Sequence, residues 1–215
     1  HHKLSTQTKM SKTIFLDPIE SKDKTVFLQI KNTTDQDISL EKQLESDLSS
    51  NGWKVVKDLG SAHDLIQVNV LQAGKAKSPQ SVLSSLSGGF GGALAGGLAG
   101  LAIGDSGASA LGGAAAGGVV DWIANALVKD VTYSVITDVQ LSVRAPKGSQ
   151  VSQSQQANLS QGSSTQIKQS YSSKTNWLRY RTRIVSYADQ VNLKFKDAAS
   201  VLSKNISKEV SGILG

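Results

Sequence analysis

A long glycine-rich stretch with almost no charge is the feature that most restricts how this chain can fold. Between Ser78 and Val120 the only charged residue is Asp105, and thirteen of the chain's twenty glycines lie between residues 88 and 118. Glycines recur at every fourth residue, first at Gly88, Gly92, Gly96, Gly100 and Gly104 and then at Gly113 and Gly117. On an α-helix this spacing forms one ridge of small residues, along which a second helix can approach closely.

The glycine ridge predicts a pair of helices in lipid more readily than in water. Glycine costs a helix interior about 1 kcal/mol relative to alanine in water, whereas lipid penalises any backbone group left unpaired. We therefore expect residues 78–128 to form an inserted transmembrane helical hairpin of the glycine-zipper type. Its main apolar contributors include Leu94, Leu98 and Leu101, and it would insert and oligomerise together. A hairpin buried in a soluble core or interface and a flexible linker are the alternatives.

The flanking sequence predicts a single α/β domain with strand and helix patterns in the order β-α-β-β before the hairpin and β-β-α after it. Residues 1–24 are expected to be an N-terminal arm, and residues 25–77 and 129–215 the domain. Period-two alternation at 131–143 and 177–187 predicts two long strands that pair. The fold class is therefore α/β (α+β), a single mixed sheet with packing helices. Residues 147–176 are rich in Ser and Gln and predict a polar loop or an extension of the long hairpin.

Charge and cysteine content exclude several classes of protein. The net charge is +6, but the basic residues are spread along the chain, so we expect no nucleic-acid partner. Arg179, Arg181 and Arg183 alternate, which predicts a strand face in contact with water or lipid headgroups. The chain has no cysteine, which excludes disulfides and thiolate sites. His1 and His2 are interpreted as the remnant of a tag, so a lipid-bearing N-terminal cysteine would be absent from this sequence.

The enzyme-like motifs are better explained by structure than by catalysis. Residues 104–107 read Gly-Asp-Ser-Gly, as around a trypsin-like nucleophile, and His63 precedes Asp64. However, the serine lies between two apolar runs, where a turn of the hairpin explains the motif, and a lone imidazole lacks partners for a metal. No phosphate-binding or dinucleotide-binding glycine motif is present. We therefore expect no enzyme activity, no cofactor and no metal.

Six collinear segments resemble the TraT surface-exclusion and complement-resistance lipoproteins. They are residues 13–18 (TIFLDP), 24–33 (KTVFLQIKNT), 66–71 (IQVNVL), 130–140 (DVTYSVITDVQ), 180–186 (YRTRIVS) and 191–195 (VNLKF). The glycine-rich stretch falls between the third and fourth segments, in the same order as in that family. The resemblance covers nearly the whole chain, and residues 147–176 depart from it.

The resemblance implies a surface-exposed outer-membrane lipoprotein of a Gram-negative bacterium that assembles into a ring of identical copies. It further implies that the ring hinders redundant conjugative transfer and confers complement resistance by steric or interaction effects. The implied partners are further copies of the chain, outer-membrane lipid, and a donor-cell surface or pilus protein.

Two other classes of protein remain as alternatives. The order of elements is similar to that of the curli-secretion lipoprotein, which predicts an oligomeric outer-membrane channel or a secretion-associated lipoprotein. A soluble adhesin-like module is the third possibility.

Overall fold

The fold is taken from a computed structural model that describes residues 3–94, 129–145, 165–166 and 176–215. Its strands and helices follow the chain in this order: β1 Ser5–Met10, β2 Thr25–Asn32, α1 Leu40–Ser50, β3 Lys54–Val56, β4 Asp64–Ala76, α2 Pro79–Ser84, β5 Asp130–Arg144, β6 Thr165–Gln166, β7 Trp177–Val191 and α3 Phe195–Leu214. Short 3-10 turns occur at Ser21–Asp23 and Leu59–Ser61.

The strands form one mixed sheet with the order β1-β7-β5-β4-β2-β3, and β6 pairs with β7 beside this path. The predicted pairing of the two long strands is confirmed, because β5 and β7 run antiparallel over all 15 residues of each. β4 pairs antiparallel with β5, and β2 runs parallel to both β3 and β4. The β1 strand lies at the edge beside β7, within the residues predicted as an arm.

One face of the sheet is covered by α1 and α3, and the main hydrophobic core lies between them and the strands. The helix predicted in the first half of the domain is observed as α1, where Leu40, Leu44 and Leu48 recur every four residues and are all buried. Gly52 follows it at φ +87, a backbone conformation that favours glycine over other residues. In α3 the apolar side chains recur every three or four residues and face the core.

The two helices are joined to each other and to the neighbouring loops by polar contacts as well. Ser207 Oγ donates to Asp47 Oδ2 at 2.6 Å, which links α3 to α1. Ser203 Oγ donates to the carbonyl of Ile38 just before α1. Trp53 Nε1 donates to the Gly215 carbonyl at 2.7 Å, so the end of α3 is held against the turn that follows α1.

The predicted fold class is wrong. The described residues form a curled mixed sheet of seven strands with three α-helices, and the predicted transmembrane helical hairpin is not among those helices. The described start of the predicted hairpin, residues 78–94, forms the six-residue α2 and then a series of turns. The physical reason is local: Gly89 and Gly91 take positive φ values of 61° and 75°, which a helix cannot contain.

The rest of the predicted hairpin, residues 95–128, lies outside the described residues. Residues 146–164 and 167–175, which include most of the predicted polar loop or hairpin extension at 147–176, also lie outside them. Within the parts of the chain that the structure describes, no helix is both long enough and apolar enough to cross a membrane.

Candidate functional site

The sheet face opposite α1 and α3 carries the polar side chains that the core face excludes, and we call it the polar face. Because neighbouring residues of a strand point to opposite sides, Ile136, Asp138 and Gln140 of β5 lie on this face while Val135 and Val139 lie in the core. Residues 85–94, which we call the lead segment, follow α2 and lie against the polar face.

A buried ion pair lies at the centre of the polar face. Asp138 and Arg183 are directly opposite each other in the β5–β7 ladder. Arg183 Nε donates to Asp138 Oδ1 at 2.7 Å, and one terminal nitrogen of the guanidinium donates to Oδ2 at 3.2 Å. The Arg183 side chain is only 1% exposed. The prediction of a wet face for this arginine is therefore wrong, because the lead segment covers it.

The same ion pair holds the lead segment on the sheet. Arg183 donates to the carbonyl of Ser85 at 3.2 Å and to that of Gly92 at 2.7 Å. In return, the backbone N–H of Gly91 donates to Asp138 Oδ2 at 2.9 Å. The two charges thus have several hydrogen-bond partners each, which is the condition under which a buried ion pair is tolerated.

The α2 helix delivers the lead segment to this position. It begins with a capping box in which Ser78 and Ser81 each bond the other's backbone N–H through the side chain, and Pro79 occupies the first turn. Val82 is fully buried in a cluster with Ile136 and Val185, and Leu86 and Leu94 pack against that cluster. This small apolar cluster fixes α2 on the polar face, so the lead segment starts beside Arg183.

Three of the predicted membrane and oligomerisation residues, Gly88, Gly92 and Leu94, lie in the lead segment. A Cβ on Gly92 would come within 2.7 Å of the carbonyl group of Gly88, and one on Gly88 would lie 3.2 Å from the Gly92 Cα. The four-residue spacing therefore serves a tight turn at this point. The remaining predicted residues, Gly96, Leu98, Gly100, Leu101, Gly104, Gly113 and Gly117, lie outside the described residues.

A ladder of amide side chains crosses the polar face next to the ion pair. Arg181 Nε donates to Gln140 Oε1 at 2.9 Å, Gln140 Nε2 to Gln67 Oε1 at 2.7 Å, and Gln67 Nε2 to Gln29 Oε1 at 2.7 Å. The Arg181 guanidinium also lies 4.7 Å from the centre of the Phe90 ring in the lead segment. Burial, with a smaller contribution from the charge of Arg179, lowers the pKa of Arg181.

His63 and Asp64 form a separate pair at the start of β4, where His63 Nδ1 lies 2.6 Å from Asp64 Oδ1. Burial raises the pKa of Asp64, although the hydrogen bond and the charge of His63 act in the opposite direction. The serine of the Gly-Asp-Ser-Gly motif lies outside the described residues. Among the described residues, no group of three or more His, Asp or Glu side chains is placed to hold a metal ion.

The residues that organise the polar face are not identified by the sequence pattern. Asp138 has no deducible partner and Arg183 is assigned to solvent, because the two are 45 residues apart and are covered by a third segment. The sequence does contain one signal. Asp138 lies on the polar side of one predicted strand, and the three arginines alternate along the other. Because the two strands are predicted to pair, opposite charges are expected on one shared face. The exact register that brings Asp138 opposite Arg183 does not follow from the pattern.

Comparison with known proteins gives matches along the whole chain. The family model described as "Enterobacterial TraT complement resistance protein" matches residues 3–214. A TraT complement resistance protein of Escherichia coli is 39% identical over 214 residues, which covers 98% of this chain and 86% of the relative. Another TraT complement resistance protein, from Escherichia coli strain K12, is 38% identical over 213 residues, which covers 98% of this chain and 86% of the relative.

Among solved structures, the chain is similar to one chain of a PelC dodecamer from Paraburkholderia phytofirmans. The two chains are 9% identical, with 96% of this chain and 98% of that chain covered, at a TM-score of 0.35. A score this low establishes neither the fold nor the assembly of the present chain.

Proposed function

Because the chain belongs to the TraT complement resistance protein family, we propose that it is a surface-exposed outer-membrane lipoprotein that protects a Gram-negative cell from complement and hinders redundant conjugative transfer. The observation that carries this proposal is the family match over residues 3–214, together with identities of 38–39% to relatives over 98% of the chain. The matched family is named for complement resistance and is not an enzyme family.

The mechanism that we propose is steric and does not involve catalysis. Copies of the chain on the outer membrane would block the approach of complement components, and contact with a donor-cell surface or pilus protein would block mating. The polar face supports a role as a rigid scaffold, because its ion pair and amide ladder tie three or more strands and the lead segment together. Such a scaffold presents its loops at fixed positions.

We also propose that the chain associates with further copies of itself through an apolar groove beside the end of α3. The groove has a volume of about 640 Å³ and lies between residues 13–19 and the last turn of α3. Phe15 lines it and is 77% exposed, the largest exposure of any large hydrophobic side chain among the described residues. A second copy would cover the aromatic ring of Phe15, since an exposed apolar patch of this kind is typical of a protein–protein contact.

The experiment that tests the proposed function is survival in serum. The protein is displayed on a serum-sensitive Escherichia coli strain as an outer-membrane lipoprotein, and the Escherichia coli relative that is 39% identical is the positive control. We expect more survivors in normal serum than with an empty vector and no difference in heat-inactivated serum. Equal killing at matched surface levels would contradict complement resistance.

Surface exclusion is measured in the same strain as the frequency of plasmid transfer from a donor. We expect the frequency to fall when the recipient displays the protein. A recipient that accepts the plasmid as often as the empty-vector strain would contradict this part of the proposal, and leave complement resistance to be judged by the serum assay.

A further inference from the structure

A small cavity on the polar face has the chemistry of a binding site that the proposed function does not use. It has a volume of about 280 Å³ and lies over β2, β4 and β5 beside the lead segment. Its lining includes Gln29, Lys31, Asn69, Gln140 and Phe90. That volume equals about nine water molecules, so it suits one small ring and not an extended chain.

Asn69 lines this cavity and has a buried polar atom without a hydrogen-bond partner. Its Oδ1 atom is buried and accepts no hydrogen bond. The neighbouring glutamines on β2, β4 and β5 are bonded to one another, whereas Asn69 stands outside that ladder. A turn of 180° about χ2 would exchange the positions of the amide oxygen and nitrogen. A hydroxyl group of a ligand both donates and accepts, so it could pair with whichever of the two atoms faces the cavity.

The ladder itself leaves a directed donor at the cavity. Each amide in it accepts from the side nearer Arg181 and donates toward β2, so the series ends at Gln29, whose oxygen is occupied and whose Nε2 is left to donate. Hydrogen bonds in a series polarise one another, which strengthens the final donor. Gln29 is exposed and lines the cavity, so a ligand oxygen can reach that donor.

The charge at the cavity is positive. Lys31 lines the cavity, is exposed, and has no ion-pair partner in the described part of the chain. The Asp138 carboxylate that also lines it is already neutralised by Arg183 and bonded by Gly91. The cavity therefore favours a ligand that carries a negative charge as well as hydroxyl groups.

The position of the cavity argues against a peptide ligand. Peptides that bind sheets commonly add a strand at an open edge. This cavity lies on a face of the sheet, and β4 and β5 beneath it each have a neighbouring strand on both sides, so their backbone groups are not free for strand addition. The side chain of Phe90 instead offers a flat apolar surface, against which the apolar face of a ring can lie.

We propose that the cavity binds one acidic monosaccharide unit, with its hydroxyl groups on Asn69 and Gln29, its carboxylate near Lys31 and its ring against Phe90. Binding of an acidic sugar at the polar face goes beyond complement resistance and surface exclusion. It does not depend on either of these functions.

The test uses the purified full chain, isotopically labelled, titrated with D-glucuronate, D-glucose and acetate and observed by NMR chemical shifts. We expect saturable shifts at residues of the cavity with glucuronate, weaker binding of glucose, and no saturable binding of acetate. Binding of acetate as tight as that of glucuronate would mean a simple anion site and would overturn the proposal. The absence of saturable shifts with glucuronate would overturn it as well.

Two variants locate the site. Asn69→Ala should weaken glucuronate binding about tenfold, the usual effect of removing one well-placed polar partner. Lys31→Met should weaken it about two- to fivefold, as expected for an exposed ion pair, and leave glucose binding unchanged. Lys54→Met, the same change on the exposed edge strand β3, is the matched control and should have no effect. Binding that is unchanged in both Asn69→Ala and Lys31→Met would place the sugar elsewhere and overturn the proposal.

Discussion

Arg183 shows how a residue that looks like a surface charge becomes the most constrained side chain of the fold. It is fully buried, it is bonded to Asp138, and it also binds two backbone carbonyls of the lead segment. A guanidinium has five N–H donors in a fixed plane, so it can serve a carboxylate and two carbonyls at once, which a lysine could not do with the same geometry.

Replacing Arg183 should therefore destabilise the protein strongly. Arg183→Leu leaves the Asp138 carboxylate buried without its partner, and we expect a loss of about 3–5 kcal/mol in the free energy of unfolding, measured with urea. The double variant Asp138→Leu/Arg183→Leu removes both charges and should lose less than Arg183→Leu alone. A double variant as unstable as the sum of the two single variants would contradict this account of the pair.

Asp64 should make stability depend on pH. Its pKa in the folded chain is raised above the ordinary value of 3.8, mainly by burial. The folded chain therefore keeps this proton at pH values where the unfolded chain has lost it, so stability falls as pH rises from 3.8 through the folded-state pKa. Asp64→Asn has no proton to lose. Its stability relative to the natural chain should rise with pH over this window, as measured by urea unfolding.

The control for Asp64 is Asp35→Asn, because the Asp35 side chain is exposed to water in the folded chain. The change with pH in stability relative to the natural chain should be larger for Asp64→Asn than for Asp35→Asn. A difference between Asp64→Asn and the natural chain that falls with rising pH would contradict the role of burial.

At the scale of single residues, the sequence predicts the burial of an apolar side chain better than it predicts what covers a charged one. Leu40, Leu44 and Leu48 are buried as their spacing predicts, because a helical stripe needs only local information. The burial of Arg183 does not follow from its own strand, since it depends on the lead segment, which reaches it from about 90 positions earlier in the chain. The alternation of a strand identifies which side chains share a face, but not what covers that face.

At the scale of elements, the lead segment needs glycine because its backbone at Gly92 lies very close to the backbone at Gly88. A Cβ on Gly92 would lie 2.7 Å from the Gly88 carbonyl, whereas one on Gly212 in α3 would meet nothing within 4 Å. Gly92→Ala should therefore lower the free energy of unfolding by about 1–3 kcal/mol, the usual cost of overpacking. Gly212→Ala should raise it by about 1 kcal/mol, because alanine is the better helix former.

Thermal unfolding of the two variants side by side is the measurement. They make the same chemical change, so the opposite signs test the turn and not the residue type. If Gly92→Ala unfolds at the same temperature as the natural chain, the turn does not need the close contact between Gly88 and Gly92.

The elements that the sequence predicts well are those whose period is long and regular. The alternation in β5 and β7 extends over more than ten residues and predicts both strands and their pairing. In contrast, β1 consists of Ser, Thr, Gln, Lys and Met, which carry no apolar alternation, so the pattern does not predict it as a strand. β1 nevertheless forms a strand because β7 offers a free edge, and pairing with a neighbouring strand matters more than the intrinsic preference of a short segment.

The glycine pattern is misleading at this scale for a physical reason. Glycine every fourth residue fits a helix ridge, but glycine also reaches positive φ values that end a helix. In the lead segment the second property decides the structure, because Gly89 and Gly91 turn the chain toward Asp138. A count of spacings does not distinguish the two outcomes.

For the whole molecule, the exposed Phe15 provides a test of self-association. Phe15→Ser should shift the equilibrium toward smaller species, with a dissociation constant raised about tenfold or more, because burying a Phe side chain is worth about 1.5–3 kcal/mol. Sedimentation or mass photometry of the purified protein measures this. Leu59→Ser, at a side chain that is 42% exposed and away from the groove, is the control and should leave the distribution unchanged.

An oligomer that is insensitive to Phe15→Ser would contradict the groove as the contact between copies. It would leave the family assignment intact, because that assignment depends on the sequence match and not on this surface.

The long strand β5 also sets the distance between Lys129 and Ala145. Lys129 immediately precedes β5, and Ala145 immediately follows it. A strand of 15 residues at about 3.4 Å each separates these two residues by up to about 50 Å. The distance between fluorophores attached at Lys129 and Ala145 would therefore report the length of β5. The accessibility of each label on intact cells would show which end of β5 points away from the cell.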